Sequence, residues 1–339
     1  MTRTPVAVVA ALFVAITLGA AQAQAPQKVV FALNWFAVGD HAAYWVALDK
    51  GYYKARGLDV ELQNSKGSAD SIAKVDTGRA DIGLADAVVV IPRVAQGARI
   101  KIVGAVFDNT PLNIWTRKET GIARPKDLEG KTLAAPPGDA QRQLFPAFAK
   151  INGVDESKVT WVTIEPAAKM VALAKKRVDA VPDYTTGQPL FEKAFGQEGL
   201  PRDALVRMPW NQYGFDTYSM SIFASEKTIS ERQKVLRDFL AASYMGWRDV
   251  MDNPKATMEI FKKRVPEIDA AVIEANLRLG LELMRTDRYA KNGIGWMDRG
   301  KMCRTVEVIN SYMPNMPRKV GCDEVFTNDF LTKIEPPRR

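Results

Sequence analysis

The stretch LNWFAVGDHAAYW, residues 33–45, gathers the chain's single histidine, two of its seven tryptophans and an Asp-His pair just ahead of a helix-like run. Such residues could serve proton transfer at His41, metal ligation, or the gripping of a flat ligand against an indole. One histidine leaves no room for a histidine-rich metal centre, and His41 with two distant cysteines lacks zinc spacing. A Ser-His-Asp triad would have to use His41, yet Asp40 is its neighbour in sequence rather than a group placed to orient it. No G-x-S-x-G elbow, P-loop, H-E-x-x-H or G-x-G-x-x-G pattern occurs. No positive signal for catalysis remains, and no cofactor is expected.

Gripping fits the pattern better. Trp35 lies in a loop just after an apolar run at 29–33, and ligands of open α/β sheets bind at such strand-to-helix turns. An indole face there adds about 0.5–1.5 kcal/mol beyond area burial when it stacks on a ring. Asn34 and His41 are its expected hydrogen-bonding companions, and Asp40 stands where a helix N-cap would. The alternative is that Trp35 fills the core, which is the preferred reading for Trp45 on the helix.

Two further turns are candidates. Pro136-Pro137-Gly138-Asp139-Ala140-Gln141-Arg142 follows a strand signal, turns on Gly138 and starts a helix. Its backbone N–H groups, Gln141 and the Arg142 fork could receive a carboxylate, sulfonate or phosphate. Arg142 could equally be a solvated helix residue. Asp183-Tyr184-Thr185-Thr186-Gly187 also follows a strand signal, and Tyr184 could close an aromatic sandwich or pack at the lobe edge.

The elements that must position these turns alternate along the chain. Strands are expected at 29–33, 58–62, 80–84, 100–107, 113–117, 131–135, 159–163, 179–181 and 217–224. Helices are expected at 42–50, 68–77, 88–96, 140–152 and 167–175, and later at 230–251, 254–265 and 269–284. Alternation of this length implies βαβ crossovers and a mostly parallel sheet. Beyond the last of these helices, Pro314, Pro317, Pro336 and Pro337 suggest an irregular surface stretch.

The first 25 residues read as a secretory signal peptide: Arg3, an apolar run from Val6 to Ala20, then AQAQA with cleavage after Ala23 or Ala25. Removing them leaves about 314 of the 339 residues, more than one core comfortably holds, so two lobes are expected. Lobe one takes 26–112 and returns with 218–339, including the C-terminal helices; lobe two takes 113–217. The formal charge of +8 comes from scattered basic residues without interleaved aromatics, which argues against nucleic acid. Cys303 and Cys322 are the only cysteines, and an oxidising compartment favours a bridge over a reactive thiol or a metal site.

Three motifs carry a resemblance. FALNWFAVGDHAAYWVALDKGYYKARGLDVEL, DTGRADIGLADA and KDLEGKTLAAPPG closely resemble the solute-binding proteins of bacterial ABC importers, in the branch for taurine, alkanesulfonates, nitrate and thiamine-pyrimidine precursors. The resemblance implies a periplasmic-binding-protein type II fold: two α/β lobes close around a small molecule, with a helical C-terminal part. It also implies a periplasmic monomer that delivers its ligand to ABC permease subunits in the inner membrane, and it makes Asp86, in the second motif, a ligand-binding candidate. The ligand would be an aromatic or heteroaromatic acid, a sulfonate or a pyrimidine precursor. The related thiamine-pyrimidine synthase is disfavoured. Ala85 and Val89 stand where that branch has its lysine and histidine, and Gly214-Phe215-Asp216-Thr217-Tyr218 replaces its cysteine run. Thr185 stands where pyrimidine binders place a glutamate, although Asp183 could substitute. A sensory binding protein is a further alternative.

Overall fold

The structure, a computed structural model, describes residues 25–267 and 269–337. The signal peptide expected at 1–25 therefore lies, apart from Ala25, outside the described residues.

Among the described residues, ten strands form two five-stranded sheets. The first holds β1 (Gln27–Ala32), β2 (Leu58–Gln63), β3 (Ile82–Asp86), β4 (Ile100–Ala105) and β10 (Met220–Ser225), in the order β2-β1-β3-β10-β4. The second holds β5 (Asn113–Arg117), β6 (Thr132–Ala134), β7 (Thr160–Val162), β8 (Ala180–Pro182) and β9 (Leu205–Pro209), in the order β7-β6-β8-β5-β9. Their burial follows their sequences. On the edge strand β2, Leu58 and Val60 are buried while Asp59 and Glu61 face water, whereas all five residues of central β3 are buried.

The expectation of a mostly parallel sheet holds for four strands of each sheet, and the fifth is reversed. β10 runs antiparallel between β3 and β4, and β5 runs antiparallel to both β8 and β9. The cause is the double crossing: each sheet receives one strand from a chain arriving from the other. Periodicity along a single segment does not record the direction in which it is inserted. The crossings lie side by side, with the Val106 N–H donating to the Met220 carbonyl at 2.8 Å.

Helices fill the connections: α1 (Ala42–Asp49), α2 (Ser68–Asp76), α3 (Ala87–Ala95), α4 (Ala140–Ile151), α5 (Lys169–Ala174) and α6 (Gln188–Gln197). After β10 come α7 (Glu226–Glu231), α8 (Gln233–Asp252), α9 (Pro254–Arg264), α10 (Ala270–Met284), α11 (Asp287–Asn292), α12 (Arg299–Tyr312) and α13 (Cys322–Val325). The helix expected over 230–251 is thus two helices, broken at Arg232. α6, β9 and α12 were not anticipated. α6 opens on Gly187 and Pro189, which read as breakers, yet proline is tolerated in a first turn because the N–H it lacks has no partner there.

α1 is apolar nearly all round because it is sandwiched between the first sheet and α8, where Tyr44 meets Phe31 and Trp247 edge-on. One apolar cluster joins the lobes: Leu144 and Phe148 of α4 pack with Val88 and Ile91 of α3 and with Met302 and Ile309 of α12. Each such buried side chain contributes about 1.5–3 kcal/mol. Cys303 and Cys322 are bridged, tying α12 to α13. A loop of 19 residues stabilises by about 3 kcal/mol through the unfolded chain.

Candidate functional site

The carboxyl ends of β1, β3, β6 and β8 face one another across the two sheets, and the turns that follow them line a single cavity. From the first lobe come Asn34, Trp35, Asp40, His41, Ser68 and Asp86. Asp139, Gln141, Lys169, Asp183, Tyr184 and Thr186 come from the second, and Asn276 of α10 reaches in from the rim. The cavity measures about 50 Å³. At roughly 10–15 Å³ per water, that is space for a few waters, so any ring-sized occupant needs the lobes to part.

Trp35 is half-buried in its loop, with the Lys169 ammonium 4.8 Å from its ring centre. The contact crosses between lobes, so the indole is a wall of the cleft and not part of one lobe's core. Trp45 packs against the first lobe's core, as expected.

Lys169, which sequence reasoning missed, is 1% exposed and lies 2.8 Å from Asp139 and 2.9 Å from Asp183. Burial pushes its pKa down, but the two carboxylates outweigh that and the net shift is upward. Asp139 divides its oxygens: Oδ1 caps α4 by accepting from the Arg142 N–H at 3.1 Å, and Oδ2 takes Lys169. Burial raises the Asp183 pKa, against the pull of Lys169.

Asp86 is fully buried, and among the described residues its side-chain partners are all neutral. Ser68 and Tyr184 donate to it at 3.0 and 2.8 Å, and Ser219 donates as well. Burial lifts its carboxyl above the usual range, and these hydroxyls hold the rise back.

Asp40 corrects an expectation. It does not cap the helix; its turn is a 3₁₀ segment, Gly39–His41, and the carboxylate crosses to the other lobe, where Thr186 donates to Oδ2 at 2.7 Å. Among the described residues Oδ1 has no hydrogen-bond partner. Burial pushes the Asp40 pKa up to about 7. His41 turns its Nδ1 toward the Val38 N–H at 3.4 Å, so Nδ1 accepts and the Nε2–H donates to Asn34 Oδ1 at 2.9 Å. Burial pushes its pKa down to about 3, so the ring is neutral and fixed in one tautomer.

These shifts oppose one another in their effect on stability. Between pH 4 and 7 folded Asp40 keeps a proton that the unfolded chain has lost, so its contribution to stability falls as pH rises. His41, with its folded pKa depressed, contributes stability that is lost as pH falls from 6.5 toward 3. Asp40→Asn removes the first effect. Relative to the wild type, its stability should gain about 4 kcal/mol between pH 4 and 8, at about 1.36 kcal/mol per unit. Denaturant titrations at the two pH values check this, and parallel curves would contradict the burial of an uncompensated carboxyl.

Three expected site residues lie elsewhere. The Arg142 guanidinium donates to the Ala135 carbonyl at 2.6 Å and to Thr163 Oγ1 at 3.0 Å, and sits over Trp161 of its own lobe. It does not line the cavity. Gly138 meets the other lobe through its backbone, accepting from the Ala69 N–H at 3.2 Å. Thr185 gives its N–H to the Pro111 carbonyl, and the next residue, Thr186, faces the cavity instead. The missed residues carry weak signals: Lys169 is a lone cation between Ala168 and Met170, and Asn276 is a lone amide on an apolar helix.

Residues 38–257 match the family described as NMT1/THI5 like. The chain is 23% identical over 312 residues to the riboflavin-binding protein RibY of Chloroflexus aurantiacus, covering 90% of this chain and 86% of that protein. A 4-amino-5-hydroxymethyl-2-methylpyrimidine phosphate synthase of Schizosaccharomyces pombe is 27% identical over 106 residues, 31% of either chain. Among solved structures, the alkanesulfonate-binding protein SsuA from Xanthomonas axonopodis pv. citri, bound to MOPS, has a TM-score of 0.66 at 14% identity. That alignment covers 89% of this chain and 98% of that one.

Proposed function

Because the chain belongs to the NMT1/THI5-like family, and its fold is that of periplasmic binding proteins, we propose that it is the substrate-binding component of an ABC importer. It captures a small organic solute between its lobes, leaves it chemically unaltered and delivers it to permease subunits in the inner membrane. The observation that carries the reading is the Trp35 indole, set on the cavity wall at the end of β1 and faced across the gap by residues of the other lobe. An export signal at 1–25, a periplasmic location and a monomeric state belong to the same proposal. So does the division into 26–112 with 218–339 and 113–217, which follows the two chain crossings.

A binding role accounts for the polar groups better than catalysis does. His41 is neutral and tied to Asn34, and Lys169 is held by two carboxylates, so neither stands ready to exchange a proton with a substrate. The likeness to the pyrimidine phosphate synthase spans under a third of the chain. The name of RibY, a riboflavin-binding protein, fits a solute with a ring to stack.

Of the solute classes expected from sequence, acids and sulfonates fit the cavity poorly. An anion about 4 Å from a carboxylate is repelled by about 4 kcal/mol at an effective dielectric of 20, and Arg142, the intended counter-charge, points away. A pyrimidine-type or other nitrogen heterocycle fits better.

Trp35→Ala tests the reading. A thermal-shift panel of sulfonates, aromatic acids and pyrimidines, followed by calorimetry on the best ligand, should show affinity at least tenfold weaker, worth about 1.4 kcal/mol or more. The unliganded melt should stay nearly unchanged. A large loss of stability at unaltered affinity would make Trp35 a packing residue and remove the proposal's support.

A further inference from the structure

We infer that the solute taken by this cleft is a flat cation, its charge on ring or amidine N–H groups, held between the Trp35 indole and the carboxylates of Asp40 and Asp86. The inference rests on the solute-binding reading above and narrows it to one ligand chemistry.

Among the described residues, four carboxylates line the cavity, those of Asp40, Asp86, Asp139 and Asp183, against the single ammonium of Lys169. His41 adds no charge, because its Nδ1 faces a backbone N–H and its Nε2 faces an amide oxygen. Lys169 is already committed, with Asp139 and Asp183 within 3 Å and the Trp35 ring beside it. Its charge is already shared between two carboxylates and an indole face, with one hydrogen bond to Asp139, so the ammonium is not a free counter-charge for an incoming anion.

Asp40 and Asp86 differ from the other pair in having no cationic partner among the described residues. The side-chain partners of Asp86 are the hydroxyls of Ser68, Ser219 and Tyr184, which steady a negative charge without cancelling it. Asp40 is 4% exposed and has one hydroxyl, that of Thr186, on one oxygen; among the described residues its other oxygen has no donor. A buried acceptor without a donor is costly, and a buried carboxylate without a counter-charge more so. Solute N–H groups entering here supply the donor missing at Asp40 Oδ1 and a counter-charge for both carboxylates. The indole suits the same guest, since its π face attracts cations and stacks on flat rings. Asp40 and Asp86 belong to the first lobe while Thr186 and Tyr184 belong to the second. A guest seated on these carboxylates therefore lies on the seam and favours closure.

Four monosubstituted benzenes of different charge test the inference on the full chain: the planar series benzamidine, benzamide and benzoate, and benzenesulfonate as a second anion, by calorimetry at pH 7.5. Benzamidine should bind at least tenfold more tightly than benzamide, with no measurable binding of either anion. Asp86→Asn should weaken benzamidine at least tenfold, with circular dichroism confirming the fold; the wild-type panel decides the question even if that variant does not fold. Equal binding of benzamide, tighter binding of either anion, or no binding of any probe overturns the inference. An anion preference that Trp35→Ala abolishes leaves the solute-binding reading standing. Benzamidine binding that Trp35→Ala leaves untouched places the guest outside the cleft, and then the solute-binding reading fails with the inference.

Discussion

Replacing Lys169 by Met should lower the stability of the unliganded protein by about 3–5 kcal/mol at pH 7, the usual cost of removing one partner from a buried ion pair. The ammonium lies 2.8 Å from Asp139 and 2.9 Å from Asp183, and all three belong to the second lobe. Methionine nearly conserves the volume, so the loss is electrostatic and not a cavity effect. Two carboxylates then face each other in a buried site with no cation between them. Asp139 also caps α4, so its distress reaches the start of that helix. The melting temperature should fall on the order of 10 °C. The deficit should shrink as the pH is lowered from 7 to about 4.5, because the Asp183 carboxyl, its pKa already raised by burial and now without its lysine, takes up a proton that the unfolded chain largely lacks. Melts of both proteins at the two pH values check this. Coincidence with the wild type at pH 7 would mean that Lys169 is not the keystone of the second lobe.

That lysine also shows where sequence reading stops. The turns after β1, β6 and β8 were legible because each follows a short apolar run, and Asp86, after β3, came from the family resemblance. Asn34, Trp35, His41, Asp86, Asp139, Gln141 and Tyr184 all line one cavity. What a sequence does not display is the rotation of each turn. Thr185 and Thr186 are adjacent and chemically alike, yet only the second faces the cavity. Arg142 lies on the helix that opens at the site, but its long side chain folds back to the Ala135 carbonyl and the Trp161 ring. Asp40 has the residue type and position of a cap, and its oxygen bonds instead to a hydroxyl 146 residues away. Asn276 enters from a helix that no local signal ties to the cleft. It is fixed by donating to the Thr186 carbonyl at 2.7 Å, a contact set by the docking of α10 on the second lobe. Strand and helix positions follow from local periodicity, whereas strand direction and side-chain aim follow from the packing of lobe on lobe.

The seam between the lobes supplies the other large effect. Gly67, at the start of α2, has φ +133°, a conformation that side chains rarely adopt, and a Cβ there would fall 2.1 Å from the Gly138 carbonyl oxygen of the opposite lobe. It would also lie 2.3 Å from the Gly138 carbonyl carbon and 2.7 Å from the Asp139 nitrogen, all backbone atoms that no side-chain rotation can clear. Gly67→Ala should therefore hold the lobes apart. The Ala69 N–H to Gly138 carbonyl bond opens first, and the cross-cleft bonds of Tyr184 to Asp86 and of Thr186 to Asp40 are lost with it. A closing protein binds tightly only through contacts made in its closed state, so solute affinity should fall at least tenfold and the radius of gyration from X-ray scattering should stay large with solute present. The strained backbone position itself costs about 1–3 kcal/mol, so the melt should drop by a few degrees without loss of cooperativity. Native affinity together with native compaction would show that the lobes meet elsewhere than at Gly67 and Gly138, and that the seam described here is not the one that closes on the solute.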